Sequence, residues 1–309
     1  MKVCFVGIGS IAKRHIKNLR NIYAVKNETL QIDALRRTSG SSSNGIDLDD
    51  IYTDNESLPK DYDIIFLTNP TEYHAEMLRV LHDNARHFFI EKPVASLNTM
   101  ELLHSISYRP DSVYYVAGPL RYNNVIQYIR KHIDPNTVNS VRCISSSYLP
   151  DWRPGIDYRQ TYSAHSDLGG GVSIDLIHEW DYLTDIFGLP KAVQMFKGKV
   201  SQLEIDSDDY AIYIAQYENM TAEVHLDYFG RKTVRKIEIY TDDDTIEGDL
   251  ISGIITYQVS GKKIDLSEDR DSYQIKELSY FLDLISSKEY KNYVMPAVKV
   301  LNLTQGIID

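Results

Sequence analysis

Cysteine is almost missing from this chain: Cys4 and Cys143 are the only two among 309 residues. Two thiols cannot build the disulfide framework that holds small secreted domains, so the fold must rest on a buried core. A reducing cytoplasm is the expected compartment. Positive charge is also in deficit. Lys and Arg number 33 against 44 Asp and Glu, a formal net charge of -11. Attraction to a phosphate backbone needs a basic surface, which argues against nucleic acid as a partner. A local basic pocket for a phosphorylated ligand stays open. Long hydrophobic runs are absent too. The apolar stretch after Lys2 ends at Gly7, too short for a signal peptide, and no stretch is long enough to span a bilayer, so no membrane partner is expected. No internal repeat or low-complexity tail is found, and no metal site is expected.

What is present reads as an ordinary globular chain, with 43% hydrophobic and 25% charged residues. Its length predicts two domains. Up to about residue 120, short buried strands (2–6, 30–35, 63–67, 88–90 and 112–117) alternate with helices over 11–22, 72–81 and 97–107. A further amphipathic helix runs to about residue 131. Beyond residue 139 the pattern changes. A strand over 141–148 and an irregular stretch over 149–168 lead to Gly169-Gly170-Gly171, which opens a helix reaching Phe187. Alternating strands follow over 193–204, 210–217, 222–229, 234–241 and 254–259, then closing helices over 271–285 and 297–307. The alternation predicts a doubly wound parallel sheet first and an antiparallel sheet second. Tyrosine is frequent, at 23 residues, which suits a polar, sugar-like ligand, a subunit interface or a tyrosine-rich sheet.

The first strand runs straight into Gly7-Ile8-Gly9-Ser10-Ile11-Ala12 and then a helix. This is the G-x-G-x-x-A dinucleotide fingerprint in its strand–turn–helix setting. Gly7 permits the turn, Gly9 lets the backbone approach a pyrophosphate, and Ala12 lets helix and strand pack closely. Ser10 and Ile11 open the helix whose N–H groups face the anion. The second strand ends in Arg36-Arg37-Thr38 rather than in the acid that usually meets a ribose hydroxyl. Guanidinium groups suit a 2′-phosphate, so NADP(H) is preferred over NAD(H). Asp33 lies too early in the strand to serve the ribose. Thr68 and Asn69 end another strand and border the cofactor. His74 either faces the nicotinamide ribose or caps and packs its helix. Phe88 to Ile90 then stops abruptly at Glu91-Lys92-Pro93, which puts an amine at the sheet edge where α/β proteins bind ligands.

These segments, together with Arg121-Tyr122 and the Gly-Gly-Gly-x-x-x-Asp run from Gly169 to Asp175, resemble in their order the glucose–fructose oxidoreductase / inositol dehydrogenase (Gfo/Idh/MocA) family. The resemblance covers nearly the whole chain. It implies an α/β protein with a Rossmann domain over 1–120 and a substrate-binding and oligomerisation α+β domain over 121–309. The second domain would carry a large, open, mainly antiparallel sheet, with the last helix able to pack back on the first domain. It also implies a homodimer or homotetramer formed through that sheet. By resemblance, Lys92 contacts substrate and nicotinamide ribose and helps move the hydroxyl proton, Asp175 orients the substrate or the base, and a histidine four residues later is the acid/base. Here the sequence departs from the pattern: His178 is three residues after Asp175, and Glu179 holds the fourth position. Positions three and four apart share a helix face. His178 keeps the expected distance to Asp181 and Gly188 and is the better candidate, with one residue missing before it.

The stretch from Tyr148 to Arg159 mixes flat aromatic surface with hydrogen-bonding groups, as sugar recognition requires. Tyr148, Trp152, Arg153 and Arg159, with Arg121, are the substrate candidates beside Asp175 and His178. The arginines also suit a carboxylate or a nucleotide phosphate, and the pattern resembles a subgroup associated with bacterial surface-sugar synthesis. The expected activity is hydride transfer between nicotinamide and a secondary alcohol or ketone of a sugar or sugar derivative. The alternatives are a non-catalytic NAD(P)-binding sensor on the same scaffold, and a lyase or glycosidase that uses the nicotinamide transiently.

Overall fold

Val3, Phe5, Ile64, Phe66 and Phe89 belong to one buried cluster, and Cys4, Val6, Ile65, Leu67, Phe88 and Ile90 to another. Successive residues of a strand point to opposite faces, so these continuous apolar runs mark a sheet covered on both sides. The computed structural model of the chain describes residues 1–37 and 46–308. Its α-helices are α1 (Ser10–Lys26), α2 (His74–Val80), α3 (Asn124–His132), α4 (Val172–Asp175), α5 (His178–Phe187), α6 (Ser272–Ser286) and α7 (Val294–Leu303). Two compact units form, one from Met1–Ala117 with Gln274–Val298, the other from Gly118–Tyr273 with Lys299–Asp309. The division is therefore not a single cut: most of α6 and the start of α7 belong to the first unit.

In the first unit, β1 (Lys2–Val6), β2 (Gln31–Leu35), β3 (Ile51–Tyr52), β4 (Tyr62–Leu67), β5 (Ala85–Ile90) and β6 (Tyr114–Val116) pair in the order β3-β2-β1-β4-β5-β6. Every pairing is parallel. Ile16 and Leu19 of α1 and Leu278 and Phe281 of α6 cover one face, and Leu78 of α2 with Val294 and Val298 of α7 lies on the other. Phe66 stacks on Phe5 at 4.5 Å and on Phe89 at 5.2 Å between ring centroids. The strand order reverses between β1 and β4, the crevice where doubly wound sheets bind ligands. Val6 is in register with Leu67, and Leu67 with Ile90. Gly7, Thr68 and Glu91 therefore leave three neighbouring strands along one edge.

The second unit holds β7 (Val138–Tyr148), β8 (Ala192–Gly198), β9 (Tyr210–Gln216), β10 (Thr221–Asp227), β11 (Phe229–Thr241), β12 (Thr245–Asp249), β13 (Ile254–Tyr257) and β14 (Lys263–Asp265), in the order β14-β13-β12-β11-β7-β10-β9-β8. The pair β7–β10 is parallel and the rest are antiparallel. Ala211, Tyr213 and Ala215 of β9 are buried, and Trp180 of α5 meets Tyr213 edge-on at 5.3 Å. Among the described residues no helix is long and apolar enough to cross a membrane.

Several elements differ from the sequence expectation. The helix expected over 97–107 is a 3-10 segment, Met100–Ser105. Its approach is rich in groups that bond locally, with the Ser96 and Thr99 hydroxyls 2.9 Å apart, an alternative to α-helical bonding. The strand expected over 193–204 stops at Gly198, where buried Asp209 accepts the N–H groups of Val200 and Ser201, each at 2.9 Å, and turns the chain. Strands β12 and β14, short and half charged, carried no pattern strong enough to read. The single helix expected from Gly171 to Phe187 is broken into α4 and α5.

Candidate functional site

The turn after β1 is made by Gly7 at φ +85°, where a Cβ would lie 2.8 Å from Asn69 Cα. Only glycine accepts both the angle and the approach. The Gly7 N–H donates to the Leu35 carbonyl at 3.0 Å, and the Thr68 hydroxyl donates to the Gly7 carbonyl at 2.7 Å. Gly9 precedes the 17-residue helix α1 without any side-chain cap, and a Cβ there would meet nothing within 4 Å. The first-turn N–H groups, beginning at Ser10 and Ile11, are thus left uncapped beside open space, while Ala12 is buried against the sheet. This cradle fits a dinucleotide pyrophosphate.

Beyond β2, the half-buried Arg36 bonds through its N–H to the Tyr52 carbonyl at 2.9 Å, and the Arg37 guanidinium lies 4.9 Å over the Tyr73 ring. Thr38 lies outside the described residues. Asp33 is fully buried and accepts the Tyr62 hydroxyl at 2.7 Å, so it offers no carboxylate at the strand end. His74 bridges two of the loops: Nε2 is 2.9 Å from the Asn69 carbonyl and Nδ1 is 3.0 Å from the Pro93 carbonyl. Its burial lowers its pKa, with the two carbonyls acting in the opposite sense. Glu91 accepts at Oε1 from His15 Nε2 at 2.6 Å and at Oε2 from the Lys92 N–H at 3.2 Å. Burial works to raise the Glu91 pKa, but the bond to His15 and its charge outweigh that and hold the carboxyl below its ordinary range. Glu91 therefore ties the backbone of half-buried Lys92 to α1.

In the second unit the substrate candidates sort into two groups. Asp175, only 5% exposed, accepts the Tyr162 hydroxyl at Oδ1 and the Tyr228 hydroxyl at Oδ2, both at 2.6 Å. Trp152 meets Tyr228 edge-on at 5.2 Å and donates from Nε1 to the Ser147 hydroxyl at 2.9 Å. The Arg153 guanidinium lies 5.7 Å from the Tyr162 ring centre, and Tyr148 carries Arg231 over its ring at 3.8 Å. Trp152 and Arg153 therefore each contact one of the two tyrosines that hold Asp175. Arg121 and Arg159 are engaged elsewhere. Arg121 forks onto Asp181 at 2.5 and 2.9 Å, with both side chains mostly buried. Arg159, half exposed, is shared between Asp157 at 2.8 Å and Glu204 at 2.6 Å.

The one-residue departure in the Asp–His spacing meets a local change of helix. After Asp175 the chain leaves α-geometry at Leu176 (φ −97°, ψ 31°), and the Ile177 N–H donates to the Ile174 carbonyl, an i→i−3 bond of 3.2 Å. The continuous helix expected across Asp175 and His178 is therefore interrupted between them, and His178 opens α5. Glu179 turns inward. It is fully buried, with Oε1 2.8 Å from Arg235 Nε. Tyr162, Tyr228, His15 and Arg235 were not read as partners of these residues, because each meets its carboxylate through the folded chain rather than through a local motif.

With these features in place the chain is of the dehydrogenase-fold class, a dinucleotide-type parallel sheet joined to a mixed sheet domain. Residues 1–107 match the family model for the oxidoreductase family with an NAD-binding Rossmann fold, and residues 126–247 match that for the GFO/IDH/MocA C-terminal domain. The chain belongs to the Gfo/Idh/MocA family. An uncharacterised oxidoreductase of Bacillus subtilis, YrbE, is 28% identical over 225 residues, 69% of this chain and 63% of that protein. The myo-inositol 2-dehydrogenase of Thermotoga maritima is 22% identical over 198 residues, 61% of this chain and 55% of that one. The matched part is thus less than two thirds of either relative. A levoglucosan dehydrogenase solved in complex with NADH superposes with a TM-score of 0.85 at 14% identity, over 99% of this chain and 95% of that one.

Proposed function

We propose that the chain is an NAD(P)-dependent oxidoreductase that interconverts a secondary alcohol and a ketone on a sugar or sugar derivative. The observation that carries this reading is the alignment of Gly7, Thr68 and Glu91–Lys92 at the ends of three neighbouring parallel strands. It sets an uncapped helix N-terminus and an amine on one edge. When bound, a nicotinamide dinucleotide supplies the hydride acceptor or donor. Gly7, Gly9, Ser10, Ile11 and Ala12 hold its pyrophosphate, and Thr68, Asn69, His74 and Glu91 shape the loops beside it. Arg36 and Arg37, with the one acid of β2, Asp33, buried against the Tyr62 hydroxyl, favour the 2′-phosphate of NADP(H).

In the oxidation direction the substrate O–H bond breaks as the carbonyl forms, and the proton needs an acceptor. We assign that proton to a ring nitrogen of His178, the residue type whose ordinary pKa lies nearest neutrality. Lys92 Nζ donates to the substrate oxygen and steadies its developing negative charge. Asp175 orients. Trp152 and Tyr148 offer ring faces to the apolar side of a sugar, and Arg153 and Arg231 suit a carboxylate or diphosphate, which favours an acidic or nucleotide-linked substrate. The outer face of the sheet carries Phe196 at 65% exposure and Ile214 at 51%; we propose that it pairs with a second copy in a homodimer or homotetramer.

The test is a panel of polyols, sugar acids and nucleotide-sugars offered with NADP+ and NAD+, followed by the absorbance of the reduced nicotinamide. Turnover of a sugar-type alcohol is expected. Tight nucleotide binding with no turnover across the panel would favour a sensor instead.

A further inference from the structure

We infer that Tyr162 and Tyr228 are positioning residues that clamp Asp175 and fix the direction in which its carboxylate orients its neighbours. The inference rests on the functional reading above for the reaction that Asp175 serves. Each tyrosine oxygen lies 2.6 Å from a different carboxylate oxygen. The direction of these bonds follows from burial, then from the charge of Asp175, which push both hydroxyls well above their ordinary titration range. Both tyrosines keep their protons and donate, and a carboxylate can only accept.

The two bonds also remove a rotation. With Oδ1 and Oδ2 each held, the carboxylate cannot turn about its Cβ–Cγ bond, and its remaining lone pairs point in fixed directions. The holders come from separate parts of the unit. Tyr228 directly follows β10 and is completely buried, with Trp152 against its ring. Tyr162 sits on a loop that Gly170 lets close: a Cβ at Gly170 would overlap the carbonyl oxygens of Tyr162, Ser163 and His165, all within 2.8 Å. Short, charge-assisted bonds of this kind are about twice as strong as neutral ones. Asp175 thus reads as a preset acceptor whose free directions are fixed by the two tyrosines.

The test uses Tyr162→Phe, Tyr228→Phe and the double variant, which keep the rings and lose only the bonds. The first arm needs no turnover. Crystal structures of the wild-type chain and the variants are expected to show the Asp175 carboxylate rotated in each single variant and unfixed in the double. An unchanged carboxylate in both single variants would overturn the clamp, and these serve if the double variant does not fold. The second arm is steady-state reduction of NADP+ with myo-inositol and UDP-N-acetylglucosamine as probe alcohols. Each single variant is expected to lose roughly tenfold to a hundredfold in kcat with KM within about threefold, the loss of one charged hydrogen bond. Wild-type kcat in both single variants would also overturn it. A wild-type chain that oxidises no alcohol in the panel would remove the functional reading, while the crystallographic arm still decides the clamp.

Discussion

His178 follows Asp175 by three residues, and the chain leaves α-geometry at Leu176 between them. The expected four-residue spacing is that of an unbroken α-helix. Removing one residue would rotate every later position by about 100° in such a helix. Here the helix is interrupted between α4 and α5, and Glu179 of α5 is buried against Arg235.

Exchange of the two neighbours separates their roles. His178→Ala should lower kcat by about 10²–10⁴, the usual range for a lost acid/base, with the melting temperature little changed. Glu179→Gln should leave kcat within about tenfold of wild type but cost about 3 kcal/mol of stability, the low end for breaking a buried ion pair, because Arg235 is 20% exposed. Urea unfolding and steady-state rates measured on both variants check this.

Lys92→Ala should remove turnover while NADP+ still binds within about threefold of wild-type affinity, since the pyrophosphate cradle is built from Gly7 and Gly9. Titration of the nucleotide by protein fluorescence, beside the rate assay, distinguishes this from general damage. Unchanged turnover would defeat the role given to Lys92.

Arg36→Glu should reverse the cofactor preference. The wild type is expected to bind NADP+ more tightly than NAD+, and the variant NAD+ more tightly, because a carboxylate repels a 2′-phosphate and accepts a ribose hydroxyl. Tighter binding of NAD+ by the wild type would contradict the reading of the two arginines.

His87 makes stability pH-dependent. Its burial pushes the imidazole down to about 4 from the ordinary 6.5. Its Nδ1 accepts the Val113 N–H at 3.0 Å, a bond that a protonated ring cannot accept. Between these two values the unfolded chain holds a proton that the folded chain does not, so stability falls as pH falls through that window. The slope from this group is about 1.4 kcal/mol per pH unit. His87→Gln keeps an acceptor and should flatten the curve by one proton in denaturant unfolding measured from pH 7 to 4.5. Parallel curves would refute it.

The first sheet was legible because its strands are buried on both faces and end in glycine, asparagine or lysine, signals that survive without tertiary context. The edge strand β3, two residues long, gave none. The second sheet was legible where side chains alternate, as in β9 and β10. It was obscure in β12 and β14, whose pairing depends on neighbours rather than on their own pattern. At the candidate site, the local motifs pointed to Gly7, Lys92 and Asp175. What surrounds them was hidden: Tyr228 reaches Asp175 from 53 positions away and His15 reaches Glu91 from 76. Arg121, read as a substrate residue, forms an ion pair with Asp181. A sequence shows the charge of an arginine but not which carboxylate has already claimed it.

The most direct test of the central claim follows the hydrogen itself. A sugar alcohol identified by the panel, carrying deuterium on the carbinol carbon, is mixed with NADP+ and the protein, and the nicotinamide is examined by NMR. The account predicts deuterium on the dihydronicotinamide ring, a slowed rate relative to the unlabelled alcohol, and neither with Lys92→Ala. Label retained on the sugar, or returned to the product with no net reduction of the cofactor, would contradict it.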